Sequence, residues 1–122
     1  METSARIVSM SKGHILDFCG KISLHESATL IKNARVVLTN DTGLMHIAAA
    51  FHKKIYSFWG NTVPEFGMVP YQAAAGSYIA EVHGLSCRPC SKLGFPQCPK
   101  KHFTCMKEQD TGKAVEWIKQ NF

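Results

Sequence analysis

Two groups of residues in this 122-residue chain have types and spacings that could do chemistry. The first is Asp41-Thr42-Gly43, set between the apolar run Val36-Val37-Leu38-Thr39 and the small-residue segment Leu44–Ala50, which carries His46. A strand that turns straight into a helix aims the free N–H groups of the helix start at whatever lies above the strand end. Such a place favours anions, phosphates above all. Gly43 has no Cβ to hold a phosphate off the first helical turn, and Thr42 offers both a hydroxyl and an N–H. Asp41 would repel a phosphate, so it either caps the helix or accepts hydrogen bonds from sugar hydroxyls. His46, one turn in, is either a satisfied structural residue or a proton-bearing contact to the anion.

The second group is Cys87-x2-Cys90-x7-Cys98-x6-Cys105, with His102 nearby. A Cys-x-x-Cys pair within a set of four sulfurs suits tetrahedral zinc. A structural zinc would staple a loop that has little apolar content of its own. Disulfides and four reduced thiols are the alternatives, and a reducing compartment disfavours the first of these. Cys19 reads as a small buried hydrophobe.

The elements that must position these groups alternate in type. Residues 2–11 read as a helix with Ile7 and Met10 on one side, ended by Gly13. Ile15–Cys19 reads as a strand, and Ser23 with Glu26 has capping-box spacing for a helix whose stripe is Leu24, Ala28, Ile31 and Arg35. Strands are expected at 36–39, 55–59 and 77–82, with a helix at 43–51 between the first two. Residues 63–71 form a Pro- and Gly-punctuated loop, and 86–106 an irregular cysteine-rich one. A closing helix over 111–121 is expected to turn Val115, Ile118 and Phe122 inward. Strands and helices alternating at this pace mean βαβ units and a parallel sheet, whose ligands bind at the carboxyl ends of the strands. The turn after Thr39 and the turn Gly60-Asn61-Thr62 after Trp59 both fall on that edge.

Length suits one modest α/β domain spanning 1–122. No apolar run is long enough to span a bilayer and the first residues lack a signal-peptide pattern, so a cytoplasmic location is expected. Fourteen basic against nine acidic residues give +5, and Arg88, Lys92, Lys100, Lys101, Lys107 and Lys113 place much of that surplus late. This is either a solvated surface or an attraction to an anionic ligand, nucleic acid or membrane face. A zinc-stabilised nucleic-acid binder is disfavoured because Tyr56, Phe58 and Trp59 sit on a core strand and the lysines form no single stripe.

The segment Thr39–Ala50 closely resembles the signature of glycosyltransferase family 9, the heptosyltransferase-like enzymes. Phe58-Trp59-Gly60-Asn61-Thr62, Pro64-Glu65-Phe66-Gly67, Pro70-Tyr71, Cys87-x-x-Cys90 and Cys105-Met106 are similar to features that follow in that family. The resemblance implies a partial C-terminal domain of a two-domain GT-B-type enzyme, with a Rossmann-like parallel sheet. That domain would bind a nucleotide-diphosphate sugar, such as ADP-heptose, for inverting transfer to a lipopolysaccharide or other surface glycan, with no cofactor in the chemistry. It further implies donor-binding roles for Asp41, Thr42, Gly43, His46, Gly60, Asn61 and Thr62, and places Glu2 where some members carry a ribose-binding acid. The acceptor domain and general base have no counterpart here, so the chain alone is expected to be inactive. Its partners would be the donor, a glycolipid acceptor held by the missing domain, a second copy or split subunit, and the inner face of the bacterial inner membrane. A non-catalytic nucleotide- or partner-binding module is the alternative.

Overall fold

Ser23 opens the first well-anchored helix because two of its orphan donors are satisfied reciprocally. Its side chain accepts the Glu26 N–H at 3.3 Å, and Glu26 Oε2 accepts the Ser23 N–H at 2.7 Å. In the computed structural model, which describes residues 2–122, this helix is α2 (Leu24–Asn33). It follows α1 (Glu2–Met10) and leads into β1 (Val36–Asn40), α3 (Gly43–Ala50) and β2 (Lys54–Trp59). A 3-10 turn at Pro64–Phe66 precedes β3 (Tyr78–Glu81), and α4 (Thr104–Lys107) and α5 (Thr111–Asn121) follow. The expected βαβ architecture is present: the strands form a parallel sheet in the order β1-β2-β3.

The central strand β2 is buried on both faces, and its alternation distributes the core. Ile55 and Trp59 face one side, with Met45, Ala48 and Ala49 of α3 and Ile31 of α2 packed on them. Tyr56 faces the other side, where Ala114 and Trp117 of α5 and Ala80 of β3 close over it. The alanines of α3 let its backbone come close to the sheet. Each large side chain so buried contributes about 1.5–3 kcal/mol. Ser57, fully buried between Ile55 and Trp59, is satisfied by the Trp59 indole N–H at 3.0 Å. Tyr56 and Trp59 are therefore core residues with no stacking surface to offer a base.

Four sequence expectations are corrected. Ile15–Cys19 forms no strand: it lies between Gly13 and Gly20, both at positive φ, and the Asp17 side chain takes the Cys19 N–H at 3.0 Å. Such an Asx turn competes with extended pairing. Cys19 is accordingly exposed and not a buried hydrophobe. On α2, Leu24 is 63% exposed while Ile31 carries the packing. On α5 the buried pair is Ala114 and Trp117, with Ile118 against them, while Val115 and Phe122 are exposed.

Candidate functional site at the carboxyl edge of the sheet

Because the strands are parallel, Asn40, Trp59 and Glu81 all end at one edge, and the loops leaving them meet there. Thr62, only 8% exposed, donates its hydroxyl to Asp41 Oδ2 at 3.0 Å. That bond ties the loop after β2 to the loop after β1. It also decides the role of Asp41, which does not cap α3. The N-cap is Thr42, in extended conformation and making no side-chain cap bond. Its hydroxyl lies 3.3 Å from that of Thr39. The start of α3 therefore presents N–H groups without a side-chain acceptor. A Cβ built on Gly43 would meet nothing within 4 Å, so space lies in front of this turn. His46 is half-buried, and its side chain hydrogen-bonds to none of the described residues.

A cavity of about 270 Å³ opens at this edge. Asp41, Gly60, Asn61 and Thr62 form one wall, and residues of the cysteine-rich loop, Phe95 and Cys98 among them, form the other. Thr42, Gly43 and His46 are outside that lining, on the adjoining start of α3. Asn61 is turned toward the cysteine-rich loop: its amide donates to Phe95 O at 2.9 Å and its carbonyl accepts the Cys90 N–H at 2.9 Å. Gly60 has a packing reason for its identity, since a Cβ there would come within 2.7 Å of Met106 Sδ. Gly94 is more constrained still. It sits at φ +77°, and a Cβ would lie 2.5 Å from Asn61 Nδ2.

Arg88 holds this edge together, a role its place in the basic surplus does not announce. Its side chain is 6% exposed and bridges the ends of two strands. It donates to the carbonyls of Gly60, Thr62 (2.9 Å) and Val82 (3.0 Å), and to Glu81 Oε2 at 2.8 Å. The planar guanidinium fork is what allows so many bonds from one buried cation. Only the Cys-x-Pro-Cys context hints at a residue held in a tight loop.

Cys87, Cys90, Cys98, His102 and Cys105 line a second cavity behind the same loop. Burial pushes the Cys90 and Cys105 thiols up, and the neighbouring cysteines add to both shifts. Cys98 is shifted down, chiefly by the Phe103 N–H and further by those of Lys100, His102 and Lys101. The His102 ring accepts the Thr104 N–H on Nδ1 at 3.1 Å and sets Nε2 3.9 Å from Cys87 Sγ. None of the five cysteines is disulfide-bonded. Among the described residues, no three metal-binding side chains stand close enough to hold an ion as they are now turned.

Two carboxylates are tied up in local turns. Asp17 is held below the usual carboxylate range by the Cys19 N–H, and Glu26 by the Ser23 N–H, so both serve local turns. Glu2 is exposed on α1, among residues of that helix alone. No helix of the described residues is long and apolar enough to cross a membrane.

With this geometry in hand, the comparisons with known proteins agree on one family. The model of "Glycosyltransferase family 9 (heptosyltransferase)" matches residues 1–95, ending short of Cys98 and Cys105. Lipooligosaccharide heptosyltransferase 2 of Haemophilus influenzae is 44% identical over 54 residues, 41% of this chain and 16% of that protein. The protein of the same name from Campylobacter jejuni serotype O:6 is 31% identical over 107 residues, 87% of this chain and 32% of the relative. Lipopolysaccharide heptosyltransferase 2 of Salmonella typhimurium is 31% identical over 65 residues, 53% of this chain and 19% of the relative. The chain thus spans about a third or less of the length of these relatives. No solved structure matches it significantly.

Proposed function

The chain belongs to glycosyltransferase family 9, and on that premise we propose that it forms the donor-diphosphate half of a glycosyl-transfer site in lipopolysaccharide assembly. The substrate of this half-site is a nucleotide-diphosphate sugar carrying a heptose-like residue. The carrying observation is the Thr62–Asp41 hydrogen bond, which fixes the two strand-end loops around one cavity beside the open start of α3.

The chemistry follows from charge. When the glycosidic bond to the diphosphate breaks, negative charge grows on the leaving phosphate. N–H groups at the start of α3 and the Thr42 hydroxyl are aimed where that charge develops, and fixed donors stabilise it without reorganising. Asp41 keeps one carboxylate oxygen on Thr62 and accepts sugar hydroxyls with the rest of its lone pairs. His46 lends a ring N–H to the same anion. An inverting displacement also needs a base for the acceptor hydroxyl proton. Asp17 and Glu26 are committed to turns and held below the usual carboxylate range, so neither serves. A partner segment at the inner membrane face supplies the base and the glycolipid acceptor site.

The same commitment of the carboxylates favours a second reading, a module that binds a nucleotide without catalysis. Backbone-amide NMR of the labelled chain with ADP, UDP and GDP tests the half-site common to both. Shifts confined to 41–46 and 60–62 are expected, and they vanish in Gly43→Val. The new side chain enters open space at an ordinary φ, so the variant folds and lost binding reports the ligand. Binding that survives the substitution would overturn the placement of the diphosphate. Single-turnover transfer after mixing with an acceptor-domain chain separates the enzyme from the module.

A further inference from the structure

From the cavity that Cys87, Cys90, Cys98 and Cys105 share we infer a tetrathiolate zinc site, with His102 as a hydrogen-bond donor to sulfur and not a ligand. The four cysteines come from three separate turns: the Cys87–Cys90 pair, the Cys98 turn and the start of α4. All of them nonetheless wall one space. Convergence on a common ion requires these side chains to turn toward one another, since no three of them are grouped to hold a metal as they stand.

Three features choose this occupant over the alternatives. The first is the donor set: four cysteines and no carboxylate line the cavity, the soft ligation that tetrahedral zinc takes in structural sites. The second is charge. A zinc ion with four thiolates carries a net negative charge, and no Asp or Glu occurs between Glu81 and Glu108. Lys92, Lys100, Lys101 and Lys107 supply the compensating cations in the same interval. The third is the His102 tautomer. Because Nδ1 accepts the Thr104 N–H, the neutral ring carries its proton on Nε2, and Nε2 faces Cys87 Sγ at 3.9 Å. A nitrogen bearing a proton cannot bind the metal, so the fourth ligand is Cys87.

The site's task is architectural. Residues 82–103 contain no helix or strand, and beyond the Arg88 clamp and the Asn61 bonds little apolar packing holds them. A four-coordinate zinc would fix this segment as the outer wall of the strand-end cavity.

Alkylation of the intact chain with iodoacetamide, read residue by residue by mass spectrometry, tests the site without any variant. After zinc loading, exposed Cys19 is expected to react at once and the other four cysteines only after a chelator is added. Equal labelling of all five, or protection that a reductant and not a chelator removes, would overturn the proposal; the latter result means disulfides. Cobalt(II) in place of zinc gives the ligand count. A sulfur-to-cobalt charge-transfer band is expected that persists in Cys19→Ser and His102→Ala and is lost in Cys90→Ser. Loss of the band in His102→Ala would overturn the all-sulfur assignment.

Discussion

Thr62 and Asp41 are 21 positions apart, and one hydrogen bond between them fixes the relative position of two loops that share no ladder. Thr62→Val keeps the shape and removes the donor, leaving a half-buried carboxylate one partner short. Hydrogen bonds to charged groups contribute about 1.5–3 kcal/mol, so urea unfolding followed by Trp fluorescence should show a loss of that size together with weaker nucleotide binding. An unchanged affinity would separate the bond from the site. Arg88 carries a larger share, because its removal leaves Glu81 at 13% exposure without its cation. Arg88→Ala is expected to cost about 3–5 kcal/mol, the penalty for breaking a buried pair. Arg88→Lys should fall between, since it keeps the charge and loses the fork. Asp41 and Thr62 were legible as candidates because both stand just past a strand. Their bond was not legible, because it depends on strand register. Arg88 was invisible for a different reason: a buried arginine is identified only by the carbonyls gathered around it.

Helices α2 and α5 show which element-level signals can be trusted. The capping box at Ser23 and Glu26 is local, so four residues of sequence determine it and the structure contains it as read. Its pH signature follows from the Ser23 N–H, which holds the Glu26 carboxyl below its ordinary value. The stabilisation is therefore complete above the unfolded pKa, about 4.3, and is lost as pH falls through the lower folded value. Thermal melts of Glu26→Gln should show the variant less stable at neutral pH, with the gap closing in the acid range; a constant gap would refute the cap's role. The stripe on α5 is not local. Val115, Ile118 and Phe122 satisfy helical spacing as well as Ala114, Trp117 and Ile118 do. What decides is the partner: Trp117 meets Tyr56 edge-on at 5.5 Å and donates to Gly76 O at 2.8 Å, with small Ala114 beside it. Trp117→Ala should cost about 3–5 kcal/mol and Val115→Ala about 0.5 kcal/mol or less, and equal losses would restore the sequence-based face. Ile15–Cys19 failed as a strand for a local reason, the Asx turn at Asp17 that competes with extended pairing.

At the scale of the molecule, both faces of the sheet are covered near β2, by α2 and α3 on one side and α5 on the other, but β1 is an edge. Leu38 in the middle of that edge strand is 43% exposed, and Met10, Leu16 and Leu24 are more so. A parallel strand with an open ladder and an apolar side chain offers a template for another strand, and no inward-pointing charge or proline blunts it. The net charge of +5 opposes association between copies at low salt, and screening weakens that opposition. Sedimentation velocity should therefore show association that grows with protein concentration and with added salt. Leu38→Lys, placed on the exposed half of the strand, should suppress it while leaving the Trp59 and Trp117 environments unchanged. If the wild-type chain stays monomeric across both titrations, the edge is closed by its own loops, and the chain needs no partner at this strand. If association persists in Leu38→Lys, the contact lies instead on the apolar side chains of α1 and the segment before α2. Either result bears on the donor cavity, because the loop that leaves β1 carries Asp41, and whatever pairs with β1 sets where that carboxylate stands.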